Sequence, residues 1–120
     1  MIAYVTNSHQ WYIRQVPGLY SSNFEKDDAG VLLRLSGDLD MWCSPQLAEA
    51  IGSCILMLPN QLVLDMNGVS FVDSTGLRVL LDGRRLAHER GVPLKLRGLP
   101  PATRRLLEMT ELLDLFELEA

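Results

Sequence analysis

Residues Val69-Ser70-Phe71-Val72-Asp73-Ser74-Thr75-Gly76-Leu77 change period part-way along. A short apolar run ends at Val72, and helical spacing begins once Asp73 is passed. Beyond the junction, Leu77, Leu80, Leu81 and Ala87 make a core face, with Val79 and Leu86 on its flank. Arg84, Arg85, Glu89 and Arg90 supply the wet side, and Gly91 sits where a helix C′ glycine belongs. Just upstream, Leu62-Val63-Leu64 is branched and continuously apolar, as in a parallel strand buried on both faces. Asn67-Gly68 reads as a turn between that run and the one at Val69–Val72.

The same alternation extends in both directions. Towards the N-terminus, Val31 to Leu35 is a β-like run closed by Ser36-Gly37. A polar turn from Lys26 to Gly30 joins it to a short strand at Ser22–Glu25, so these two pair antiparallel. Ser44-Pro45 predicts a helix start, with Ser44 as N-cap and Pro45 at the first helical position. Leu47, Ile51, Cys54, Ile55 and Leu58 follow at helical spacing, and Pro59-Asn60 ends that helix. Towards the C-terminus, Pro93 to Arg97 alternates like a half-exposed strand. Pro100-Pro101 opens a third helix, with Ala102, Leu106, Met109 and Leu113 on one side, and Leu115 to Leu118 forms a last short strand.

Strands alternating with helices give the fold class: α/β, a mixed and mostly parallel sheet of about four to five strands with helices packed on it. Residues 1–19 form an N-terminal extension, and 20–120 form one domain. Within the extension, Met1–Val5 suits a short strand, and Trp11, Tyr12, Ile13 and Val16 are apolar without a period.

Composition narrows the function classes. The 120 residues are 48% apolar, enough for a core without metals or cross-links. Eleven basic residues against 15 acidic give a net charge of −4, a poor basis for gripping phosphate backbones. Direct nucleic-acid binding is therefore not expected. Cys43 and Cys54 read as free thiols, and with His9 and His88 the only histidines, no metal site is expected. No leader pattern and no run near ~20 apolar residues is visible, so neither membrane insertion nor export is expected and a cytoplasmic location is.

Asp73 and Ser74 both stand where N-cap residues belong, and Gly76 lies in the first turn, where propensity disfavours it. Two readings follow. In one, Ser74 or Asp73 is simply a cap and Gly76 a packing residue. In the other, Ser74 is a modification site on an exposed helix N-terminus. A phosphate there adds roughly −1.5 to −2 charges. The exposed N–H donors and partial positive charge of the helix start tolerate that anion. The fold would survive while the surface charge changed beside Asp73, and beside Asp38 and Asp40 if they lie near.

Catalysis is not expected. A serine nucleophile needs a base and an orienting acid, and neither histidine has that context. G-x-S-x-G is absent, as are the glycine-rich and lysine-containing phosphate loops, so no cofactor is expected. Asp73-Ser74-Thr75-Gly76 departs from the aspartic-protease pattern, since Thr75 stands where that pattern needs glycine.

Four pieces, in order and spacing, resemble the STAS domain of anti-sigma factor antagonists over about Tyr20 to Leu118. They are Leu35-Ser36-Gly37-Asp38-Leu39-Asp40, Ser44-Pro45-x-Leu47, Leu62-Val63-Leu64-Asp65, and the junction from Val69 to Leu77. The resemblance implies a partner that is both an anti-sigma factor and a serine kinase of the histidine-kinase-like ATPase type. It implies phosphorylation at Ser74, with Thr75 a weaker acceptor, and removal of the phosphate by a PP2C-type phosphatase. It places Asp38, Asp40, Asp73, Ser74, Thr75, Gly76 and Arg78 on the partner surface. The ATP belongs to the kinase. Three features depart from the family pattern. Arg78 stands where glycine is frequent, and a cation there would either interact with a phosphorylated Ser74 or reshape the partner surface. Trp42-Cys43 replaces small or aliphatic residues, and residues 1–19 exceed the family core. STAS modules also serve as assembly scaffolds, ligand sensors and transporter accessories, and in those settings Ser74 would only cap.

Overall fold

The computed structural model describes residues 18–119. The expected strand at Met1–Val5 and the aromatic stretch at Trp11–Val16 lie outside them. Strands β1 (Ser21–Asp27) and β2 (Gly30–Leu39) form an antiparallel hairpin. Its turn is fixed by the Asp27 carboxylate, which accepts from the N–H groups of Ala29 (2.8 Å) and Gly30 (3.2 Å). There follow helix α1 (Ser44–Leu56), strand β3 (Leu62–Val72) and helix α2 (Ser74–Glu89). Strand β4 (Leu94–Arg97), helix α3 (Pro101–Met109), a 3₁₀ turn at Leu113–Leu115 and strand β5 (Glu117–Leu118) complete the described residues.

The five strands lie in sequence order, and every pair after β1–β2 is parallel. Sequential order has a consequence for the layers. Each crossover steps to the next strand in the same direction, and right-handed crossovers then place all three helices on one face. The burial pattern agrees. Val31, Leu33, Leu35 and Leu39 of β2 are buried towards the helices, with Leu62, Leu64 and Met66 of β3 and Leu94 and Leu96 of β4. Leu47, Ile51 and Ile55 of α1, Leu77, Leu80 and Ala87 of α2, and Leu107 of α3 meet them from above.

The opposite face of the sheet is polar. Arg34 pairs with Glu25 (2.9 Å), Lys95 with Glu117 (3.7 Å) and Arg97 with Glu119 (2.5 Å), each across neighbouring strands or their extensions. This corrects the expectation that Leu62-Val63-Leu64 marks a sheet covered on both sides. Val63 points away from the helices but is still buried, flanked in register by Leu32 and Lys95. The aliphatic stem of Lys95 can cover apolar surface while its charge stays wet.

Five other details differ from the sequence reading. Asn67-Gly68 is not a turn. The chain stays in β3, and the irregularity appears as a shift of register between Arg34 and Ser36. The Asn67 N–H is taken up by its neighbour Asp65 (3.0 Å). Strand β2 continues past Ser36-Gly37 to Leu39, which places Asp38 on a strand end rather than in a loop. Helix α1 begins at Ser44, so Cys43 and not Ser44 stands at the cap position, without a side-chain capping bond. Helix α3 buries Thr103 and Leu107, whereas Ala102 and Met109 are exposed. The helix ends at Met109, so Leu113, beyond a left-handed residue at Glu111 (φ 61°), does not extend its inner face. Of the expected inner face of α2, Leu81 is only half-buried, and Gly83 instead is buried against Ile51 of α1.

Candidate functional site

The carboxyl ends of β2 and β3 lie side by side, with Asp38 opposite Phe71 and Leu39 opposite Val72. Chain leaving the carboxyl edge of a parallel sheet is where such folds carry their sites. Here the two exits are the loop Asp40–Cys43 and the start of α2.

Each exit is organised by one aspartate. Asp40 accepts from the N–H groups of Trp42 (3.0 Å) and Cys43 (3.3 Å), closing an Asx turn. Asp73 is extended and half-buried, and one carboxylate oxygen accepts from the Gly76 N–H (2.8 Å) as the N-cap of α2. Its other oxygen accepts from the Met41 N–H (3.3 Å). One side chain therefore holds both exits. The Asp73 N–H in turn donates to the Leu39 carbonyl (3.1 Å).

Gly76 makes this arrangement possible. It is buried, and a Cβ there would overlap the Leu39 carbonyl oxygen. The backbone it admits is the chain's own strand β2, and that proximity seats α2 on the sheet edge. Gly37 (φ +84°) has a similar duty one strand position before Asp38, where a Cβ would meet the Leu19 carbonyl. The Asp38 N–H donates to the Gly18 carbonyl (2.7 Å), so the chain enters the domain beside this edge.

Ser74 is the first residue of α2 and is exposed; Thr75 is half-buried. Asp73 makes the cap, so the Ser74 hydroxyl is not needed for it. Arg78 stands one turn further along the same side and is exposed, with Asp82 4.0 Å from its Nε. Asp38, Asp40 and Asp73 give the edge three carboxylates, all half-buried. The structure thus brings Asp38, Asp40, Asp73, Ser74 and Thr75 to one edge of the sheet, with Arg78 one turn above it and Gly76 beneath.

Sequence reading singled out Trp42 as a departure from the family pattern but passed over Met41 and Phe71 beside it. Trp42 is 77% exposed, Met41 61% and Phe71 52%. Exposed aromatic and methionine side chains at a sheet edge are the kind of surface that partners cover. Their signal in the sequence was Trp42 itself, a large residue beside a polar turn.

Cys43 lies buried under the same loop, its thiol directed at the carbonyls of Asp38 and Asp40 (both 3.5 Å). Burial pushes the thiol above its ordinary pKa, and the charges of Asp40 and Asp73 act in the same direction. It remains protonated near neutrality and offers no thiolate nucleophile. Cys54 is likewise a buried free thiol, raised by burial.

The sequence profile of the STAS domain matches residues 21–120. The chain belongs to the STAS-domain family. Among STAS relatives, the anti-sigma-B factor antagonist of Listeria monocytogenes is 30% identical over 95 residues, which cover 79% of this chain and 83% of that protein. The anti-sigma-B factor antagonist of Bacillus subtilis is 27% identical over 99 residues, covering 80% and 87%. An anti-sigma factor antagonist from Mycobacterium paratuberculosis superposes with a TM-score of 0.73 at 30% identity, covering 86% of this STAS chain and 87% of that one. The single domain, the mixed sheet and the three helices expected from the sequence are those of the STAS fold. Among the described residues, no helix is long and apolar enough to cross a membrane.

Proposed function

We propose that this protein is an anti-sigma factor antagonist that works by binding and not by catalysis. Unmodified, it occupies an anti-sigma factor and so frees a sigma factor for transcription. That anti-sigma factor is also a serine kinase of the histidine-kinase-like ATPase type. Ser74 is the acceptor. Its oxygen attacks the γ-phosphorus of the ATP held by the kinase, the bond to ADP breaks, and the hydroxyl proton passes to a kinase base. A PP2C-type phosphatase reverses the state by water attack, which releases phosphate and restores the hydroxyl. The domain proper runs from residue 20 to 120, with 1–19 as an extension.

One observation carries this reading: Asp73 caps α2, which leaves Ser74 at the exposed first position of the helix. A hydroxyl engaged in capping would be held against the backbone N–H groups of the first turn and less free to turn outward. Around it, Asp38, Asp40, Thr75 and Arg78 contribute polar contacts, and Met41 and Trp42 contribute apolar area. Asp73 and Gly76 act from beneath by shaping the edge. A phosphate added among three carboxylates makes the edge more repulsive to a partner matched to its unmodified form.

The test combines phosphorylation and capture. The chain is incubated with its cognate anti-sigma factor and Mg-ATP, and the modified residue is located by mass spectrometry. Capture of the same anti-sigma factor is then compared for the native chain, Ser74→Ala and Ser74→Asp. Ser74→Ala should bind and resist release by ATP, and Ser74→Asp should lose the partner while keeping its fold. Equal capture by all three, or phosphate elsewhere, would overturn the proposal.

A further inference from the structure

Ser74, Arg78 and Asp82 are spaced four residues apart along α2 and all three are exposed, so they form one column on its solvent side. Arg78 and Asp82 are only in marginal contact, with Nε to Oδ2 at 4.0 Å and side chains 78% and 63% exposed. An ion pair of this kind is weak. Its order is also the less favourable one. Helix side chains lean towards the N-terminus, so an acid four residues before a base pairs better than the reverse. In Arg78–Asp82 the base comes first.

A phosphate on Ser74 would reverse that order. It would sit four residues before Arg78, with roughly −1.5 to −2 charges against the single charge of Asp82. The guanidinium fork matches phosphate oxygens two at a time. The other charged groups facing this end of α2 are Asp38, Asp40 and Asp73. All three are carboxylates, and they push a phosphate away from the loop and along the helix.

We propose that Arg78 is a phosphate clamp that exchanges Asp82 for phospho-Ser74. The proposal rests on the reading of Ser74 as the acceptor and adds how the modified state is held. The exchange draws the phosphoryl group back along α2, partly neutralises it and leaves Asp82 bare. The modified form is thereby shielded from hydrolysis and persists longer. Asp at position 74 carries a single charge and two oxygens, against roughly −1.5 to −2 charges and three oxygens for phosphate, so it engages the same guanidinium more weakly.

The experiment needs no kinase. Phosphoserine is placed at position 74 of the full chain during translation with a suppressor tRNA, and its second ionisation is titrated by phosphorus NMR. The value usual for phosphoserine is about 6, which Arg78 and the helix start lower and the three carboxylates raise, so the comparison between variants is what reads the clamp. Arg78→Gln should raise the pKa by about 0.3 of a pH unit or more. Arg78→Lys should fall between them, and Asp82→Asn should leave it unchanged or lower it. Alkaline phosphatase should also clear the phosphate faster from Arg78→Gln than from the native chain. The same pKa in native and Arg78→Gln proteins would overturn the clamp, as would an equal rise in Asp82→Asn. Either result leaves the switch standing. Conversely, a cognate kinase that ignores Ser74 would overturn the switch and leave the titration intact.

Discussion

Helices α1 and α2 both open on a serine, Ser44 and Ser74, yet the two hydroxyls have different surroundings. Ser44 is half-buried and its hydroxyl donates back to the Met41 carbonyl (3.2 Å). The residue before it, Cys43, provides no side-chain cap. Ser74 follows an aspartate that does provide one, and it stands in solvent. The same residue at the same helix position is structural in one place and available in the other. What differs is the residue one position earlier. A serine at a helix start is therefore best judged by whether its predecessor already does the capping.

The comparison can be broken from the α2 side most severely at Gly76. Gly76→Val should press a branched side chain into the Leu39 carbonyl and cost about 3 kcal/mol or more, read by urea unfolding. Asp73→Ala should cost about 1–2 kcal/mol, since it removes the cap and the bond to the Met41 N–H together. In that variant Ser74 becomes the remaining capping candidate, and kinase modification of it should slow. Undiminished modification would count against the idea that capping by Asp73 is what leaves the Ser74 hydroxyl free. Ser44→Ala should cost about 0.5–1 kcal/mol through one lost hydrogen bond, whereas Ser74→Ala should stay within about 0.5 kcal/mol of the native chain. Equal costs at the two serines would erase the contrast.

The smallest expected effect is on pH dependence. Folded Cys43 and Cys54 have raised pKa values, so the unfolded thiols ionise first as pH rises. Stability should hold up to the unfolded thiol value near about 8.5 and decline above it, because only the unfolded chain loses those protons readily. Chemical denaturation repeated between neutral and alkaline pH checks this. A stability that rose above that value would contradict the buried placement of both thiols.

Much of this architecture was legible in the sequence because its signals were local. The change of period at Asp73 located the start of α2, and Gly91 (φ 71°) located its end. From Ser21 onward the order of strands and helices matched as well, once the two runs at Leu62–Leu64 and Val69–Val72 are joined into β3. What escaped depended on neighbours distant in sequence. Asn67-Gly68 has the chemistry of a turn and of a strand irregularity alike, and pairing with β2 decides between them. The polar face of the sheet follows from sequential strand order, which no single strand reveals. Val63 looked like a residue of a doubly covered strand, although its cover comes from neighbouring side chains in register. At the site, Asp73 and Ser74 were interchangeable as caps on paper. Only the bond from Gly76 N–H assigned the task, and only the bond from Met41 N–H showed that Asp73 reaches the other exit. Gly76 was legible as unusual, but the carbonyl beneath it belongs to Leu39, far back in the chain.

The two oxygens of Asp73 also bear on how a message would travel through this molecule. With one fastened to the 41–43 segment and the other to the first turn of α2, the indole of Trp42 and the hydroxyl of Ser74 are mounted on a common bracket. A partner seated on the backbone that carries Trp42 would meet the hydroxyl at a set distance from it. On the function proposed here, recognition and marking would share one coordinate frame, and switching would require no lever to swing.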